Sequence, residues 1–160
     1  MFISKNELSN FDFHDAEVTS AKFAGADFIW HISDFHAAKE NSQNEHEYDM
    51  SIEKAVIIFR SAKIDRIILE TYRDSRALAP EESEETPPED YPAMFDTSHG
   101  DRINIGGMAD CRENSDGTFS ARFEFAMAAR RNFAIDLTFA ESVVQWEDFS
   151  GLAWYELPVE

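Results

Sequence analysis

Asp12-Phe13-His14-Asp15 is the densest group of proton-exchanging side chains beside an apolar run in this sequence. A histidine next to a carboxylate can be held in one tautomer, ready to act as a base or a metal ligand. On an extended chain neighbouring side chains point to opposite faces. Asp12 and His14 are therefore expected to share a face, and His14 and Asp15 not to pair. The plainer reading is that His14 or Asp15 bonds local backbone and fixes the turn into the first strand. His31 and His36 could join His14 in a three-histidine site if the first two strands pair. Their separation is odd, however, and a regular strand sends such residues to opposite faces. No HxH, HxxxH or HExxH spacing occurs, so no metal is expected. The candidate ligand-binding residues are Asp12, His14, Asp15, His31 and His36. No catalytic residue is assigned and no cofactor is expected. His46 and His99 fall in polar loops.

Other reaction signatures are missing. The sequence holds no GxSxG elbow, no P-loop and no GxGxxG. Gly106-Gly107 inside an alternating run reads as a bulge rather than a phosphate cradle. Cys111, the single cysteine, sits between Asp110 and Arg112 with no clear activator, and reads as an inert thiol. With 32 carboxylates in the chain, an acid–base pair arises too easily by chance to signify catalysis.

The elements that would carry these residues read as strands. Phe (14) and Ile (12) greatly outnumber Leu (6), a choice that suits a pleated, half-buried surface. Ala16 to Phe23 and Asp27 to Phe35 form a predicted pair about Ala24-Gly25-Ala26, with Phe28, Trp30 and Ile32 on one face. Lys39 to Tyr48 is polar and reads as a long hairpin loop or a disordered tip. Ala55 to Arg60 and Arg66 to Tyr72 are two more strands. Ile52, Val56 and Phe59 also fit a helix over residues 51–61, but the run Val56-Ile57-Ile58 is β-branched and favours strand. Arg102 to Met108 alternates, Asn114 to Gly117 turns with Gly117 free to adopt positive φ, and Phe119, Ala121, Phe123, Phe125 and Met127 recur at every second position. Arg130-Arg131-Asn132 is the next turn. Phe133, Ile135, Leu137 and Phe139 repeat the pattern, completing a meander. Val143 to Tyr155 should supply a last strand and a turn whose aromatics cap the core. Glu81 to Asp90 holds six acids, no bases and two prolines, and is read with its flanks, residues 80–92, as an exposed acidic insertion loop.

The expected architecture is one mainly β domain over residues 1–160, about eight antiparallel strands in a sandwich, curved sheet or flattened barrel. The longest apolar runs are five residues, too short for a membrane helix, and Met1 to Asn10 lacks a secretory pattern. With one cysteine, a reducing cytoplasm, bacterial by expectation, is the simplest setting. The formal charge is −18, and without the six acids of the insertion it is still −12. Such a field repels nucleic acid and anionic membranes and attracts basic proteins. An exposed edge strand could pair two copies, but the like charge opposes it.

Phe13-His14-Asp15-Ala16, the following strands with Trp30, and Ala55 to Phe59 together resemble a group of small uncharacterised bacterial proteins with an N-terminal Phe-His-Asp motif. Some of these are immunity-protein-like. The resemblance spans roughly Phe11 to Leu69 and implies a β-rich fold with no catalytic residues to carry over. Two functions are expected from these readings. The first is a non-enzymatic acidic interaction protein, an immunity-type inhibitor of a basic partner. The alternative is a small-molecule-binding or hydrolytic β domain using the His14/Asp12 cluster.

Overall fold

The alternating Phe, Ile and Val residues do fold as strands. The computed structural model describes residues 1–69, 72–73, 76–77, 84–98, 100, 102–127 and 132–158. Among them run fourteen strands, eight of six or more residues, as the alternation predicts, and six short ones of two to four. The first half holds β1 (Phe2–Lys5), β2 (Phe11–Asp12), β3 (Glu17–Ala24), β4 (Asp27–Ala37), β5 (Met50–Arg60) and β6 (Lys63–Leu69). The short β7 (Tyr72–Arg73), β8 (Arg76–Ala77) and β9 (Glu84–Thr86) follow, then a four-residue helix α1 (Tyr91–Met94). The second half holds β10 (Ile103–Glu113), β11 (Phe119–Met127), β12 (Phe133–Phe139), β13 (Glu141–Trp146) and β14 (Gly151–Leu152). Residues 51–61 are strand and not helix, as the β-branched run predicts.

The main sheet has the order β1-β13-β5-β4-β3-β10-β11-β12-β6-β9, with every pairing antiparallel. β2 adds to β4, β14 adds to β5, and β7 and β8 form a separate two-stranded antiparallel pair. The halves join through a narrow seam, Glu17 and Val18 of β3 against Asn104 and Ile103 of β10. About that seam the open sheet curves until its halves face each other. Trp30 on β4 meets Phe123 on β11 with ring centroids 4.8 Å apart, and Phe59 on β5 meets Phe139 on β12 at 5.1 Å. The inward residues of both halves make one aromatic core.

β10, β11 and β12 are the expected meander, with Phe123, Phe125, Phe133, Ile135 and Leu137 buried. Register shifts between Ile105 and Gly107, so Gly106-Gly107 is a bulge. Gly117 takes φ +83° in the β10–β11 turn. Arg130 and Arg131, expected in the next turn, lie outside the described residues. The acidic insertion departs in part from an exposed loop. Glu84–Thr86 pairs with β6 and buries Thr86, because edge β6 still offers unpaired backbone there. Glu89 and Asp90 are exposed, and residues 80–83 lie outside the described set. Phe95, just beyond α1, plugs the core against Phe28, Phe125 and Phe133. The Lys39 to Tyr48 loop is ordered by asparagines. Buried Asn44 donates from Nδ2 to the carbonyls of Ala37, Ala38 and Tyr48, and buried Asn41 donates to Ser4 Oγ.

Candidate functional site

β2 and β3 lie along the same edge of β4, and the chain leaves that edge between them at Phe13 to Ala16. The excursion is anchored on β10. Asp15 N–H donates to the Ile105 carbonyl, and Ile105 N–H donates to the Ala16 carbonyl. The bulge turns the Gly106 carbonyl toward His14, whose Nδ1 lies 3.0 Å away. Asp12 Oδ1 accepts the backbone N–H of His14 at 2.9 Å, so this carboxylate bonds the turn and acts on the imidazole only through its charge. Asp15 stands at φ +67°, a left-handed geometry that Asp tolerates. The chain is therefore not extended here, and the expectation that His14 and Asp15 point apart fails. Their side chains meet at 3.5 Å, His14 Nε2 to Asp15 Oδ2. The Gly106 carbonyl first, and the Asp15 charge second, raise the His14 pKa above its ordinary value.

His31 and His36 contradict a second expectation. In β4 the buried positions are Phe28, Trp30 and Ile32, then Phe35 and Ala37. The phase slips at Asp34, which takes φ +61°. β5 slips at the same level, where Glu53 and Lys54 both face outward between buried Ile52 and Ala55. Because both strands absorb one residue, the pairing stays in register from Phe28↔Phe59 to Ala37↔Met50. Both histidines consequently sit on the outer face despite their odd separation. They remain apart along β4, by roughly 16 Å at the usual rise of a strand. His31 stands over Ser20 and Val56.

His14 and His36 do come together as walls of one groove of about 340 Å³, with Asp15, Asp34, Glu53 and Trp154. His36 is held by Ser51, with Nδ1 and Oγ 3.1 Å apart, and Ser51 Oγ also lies 3.1 Å from the Leu152 carbonyl. A carbonyl can only accept, so the single hydroxyl proton goes to Leu152 and His36 Nδ1–H donates to Ser51. His36 Nε2 is then the ring atom left to accept a proton or a donor. Burial pushes the His36 pKa down, against the opposing pull of Asp12, Asp49 and Asp34. Among the described residues no group of three His, Cys, Asp or Glu side chains could hold a metal ion. Cys111 lines a neighbouring cavity of about 440 Å³ with Asp12 and His14, and burial raises its thiol pKa. His99 lies outside the described residues.

The aromatic tail divides, where the sequence favours core for all of it. Trp146 is buried and stacks on Phe2 at 5.3 Å. Trp154 is 71% exposed and Tyr155 is 40% exposed. Asp49 positions them. Its Oδ2 accepts the Tyr155 hydroxyl at 2.8 Å and its carbonyl accepts Ala153 N–H at 2.9 Å. The Tyr155 ring meets the His36 ring edge-on at 5.4 Å, and Trp154 leans on Tyr155. Burial and the Asp49 carboxylate push the Tyr155 phenol up, so it stays protonated and donating. Ser51, Asp34, Glu53 and Trp154 are groove residues that the sequence did not single out. The one available signal was a tryptophan in a short, Gly-containing, acid-flanked tail.

What the groove can do follows from its walls. Besides His14, which Asp15 already meets, its described walls offer the carboxylates of Asp15, Asp34 and Glu53, a lone pair on His36 and an exposed indole, acceptors of positive charge or of donors. Among the described residues no helix is long and apolar enough to cross a membrane. Compared with known proteins, the chain matches no family model, no curated protein and no solved structure.

Proposed function

We propose that this chain is a non-enzymatic interaction protein that docks a basic partner protein, as an immunity-type inhibitor would. The observation that carries this reading is Trp154, an exposed indole at the rim of a groove walled by Asp15, Asp34 and Glu53. A lysine or arginine entering the groove gains the indole face and the carboxylates together. Tryptophan is among the residues that most often dominate binding energy in protein interfaces. The charge of −18 supports fast encounter with a cationic partner. The hydrolytic alternative rests on the His14/Asp12 cluster and asks Asp12 to orient the His14 imidazole as a base. Asp12 Oδ1 instead accepts the His14 backbone N–H, and the imidazole is bonded to the Gly106 carbonyl, which favours the binding reading.

The test titrates the protein with short oligo-arginine and oligo-lysine peptides and an oligo-glutamate control, reading NMR shifts at the Trp154 indole. Trp30 and Trp146 are buried, so quenching by neutral acrylamide reports Trp154 selectively. The expected result is a saturable, salt-sensitive shift for the cationic peptides, lost in Trp154→Ala and weakened in Asp34→Asn/Glu53→Gln. Shifts spread evenly over the acidic surface, or none at the indole, would overturn the reading.

A further inference from the structure

A further cavity lies away from the histidine groove and the Cys111 cavity, under α1. Its volume is about 1140 Å³, and it is bounded by the outer half of β3, the β5–β6 corner and residues 88–98. Phe28 and Phe95, both buried, form its floor, and Tyr91 and Pro92 of α1 form a wall. Phe23 stands inside it in an unusual condition. It lies opposite Phe28 in the β3–β4 pairing and stacks on it at 4.5 Å and 7°, yet is 47% exposed. One face of the ring is packed and the other is left to whatever enters.

The polar lining has the opposite character to the rest of the protein. Lys22 and Lys63, two of the chain's five lysines, line this cavity together with the hydroxyl residues Thr19, Ser20, Thr97 and Ser98. Asp96 is the one carboxylate among the described lining residues. Lys63 meets Asp65 at 3.8 Å with its side chain 77% exposed, a loose pairing that a better-placed anion can displace. In a chain with more than twice as many acids as bases, a cavity whose described lining carries two lysines against one aspartate is selective by contrast. The surrounding field repels free anions, so one is retained only if it also buries apolar surface.

We propose that this cavity binds a monoanionic amphiphile, an acyl or aryl carboxylate of small-molecule size. Its apolar body lies on Phe23, Phe28 and Phe95, and its carboxylate is held by Lys22, Lys63 and the hydroxyls. The floor is shaped for a flat or extended apolar body, and the volume lies just above the usual range of small-molecule sites, about 300–1,000 Å³. This inference does not depend on the groove at Trp154, and either can fail alone.

The experiment titrates the whole protein with decanoate, decanol and decyltrimethylammonium, using calorimetry and backbone NMR. Decanoate is expected to bind one to one, moving resonances of Thr19 to Phe23 and Tyr91 to Ser98. Decanol should bind more weakly and the ammonium not at all. Lys22→Glu/Lys63→Glu alters only exposed side chains, and its folding is checked by thermal melting. It should weaken decanoate by about tenfold or more. Phe23→Ser should weaken all apolar ligands alike. No decanoate binding, equal binding of the three head groups, or shifts mapping elsewhere would each overturn the assignment.

Discussion

His36 Nδ1 lies 3.1 Å from Ser51 Oγ, whose own proton is directed at the Leu152 carbonyl, so the imidazole is the donor of that bond. The ring is also partly buried, and its pKa falls. His14, exposed and bonded to the Gly106 carbonyl beside Asp15, moves the other way. Two histidines on one groove are therefore expected to titrate on opposite sides of about 6.5, the ordinary value. The His14 contribution to stability is complete below that value and is lost as pH rises through its folded pKa. The His36 contribution is present above it and is lost as pH falls through its folded pKa. Imidazole NMR against pH checks both. Asp15→Asn should lower the His14 midpoint only part of the way, because Gly106 remains. Coincident midpoints would refute the arrangement.

Asp136 accepts two bonds from Arg122, at 2.7 and 2.9 Å, and a third from Arg66 at 2.7 Å. The Arg122 bonds first, then Arg66, hold its pKa below the usual carboxylate range despite partial burial. Its contribution is complete above about pH 4 and is lost as pH falls through the depressed value. Asp136→Asn should lower stability by about 2 kcal/mol at neutral pH, typical of bonds to charged groups. It should also flatten the acid limb of the stability curve. Denaturant melts at neutral and acid pH measure both, and an unchanged acid limb would show that Asp136 does not govern it.

Phe123 touches Trp30, Phe59 and Phe13 and belongs to the cluster that joins the two halves of the sheet. Phe123→Ala should destabilise by about 3–5 kcal/mol. Trp30 is fully buried, and its Nε1 has no hydrogen-bond partner among the described residues. Trp30→Phe removes that unsatisfied donor, which offsets part of the lost packing, so about 1–2 kcal/mol is expected. Equal losses in thermal or chemical melts would mean that the indole N–H is engaged by a neighbouring ring.

Asn44 ties the Tyr48 carbonyl of the Lys39 to Tyr48 loop to the Ala37 and Ala38 carbonyls at its base, and its Oδ1 accepts the His46 N–H at 3.0 Å. Asn44→Ala strands these groups in a part-buried site, with an expected loss of about 1–3 kcal/mol. Hydrogen exchange should find His46 N–H protected in the parent and fast in the variant. Fast exchange in both would restore the disordered-tip reading.

The period-two pattern of Phe119 to Met127 and Phe133 to Phe139 was legible from the sequence because burial on one face of a strand is a local property of alternation. The Gly117 turn and the Gly106-Gly107 bulge were legible because glycine reports backbone geometry directly. The aromatic, β-branched composition determined the class, a mainly β chain. Only the tertiary structure decided the site. The slip at Asp34 depends on an equal slip at Glu53 and Lys54 in the neighbouring strand, and neither strand alone requires it. The left-handed Asp15 depends on Ile105, ninety positions away, accepting its N–H. Trp154 and Trp146 are the same residue type a few positions apart, one exposed and one buried, because β13 pairs on both sides while the tail only borders β5. Alternation is written in neighbouring residues, whereas the meeting of His14, His36 and Trp154 is written in hydrogen bonds between segments far apart in the chain.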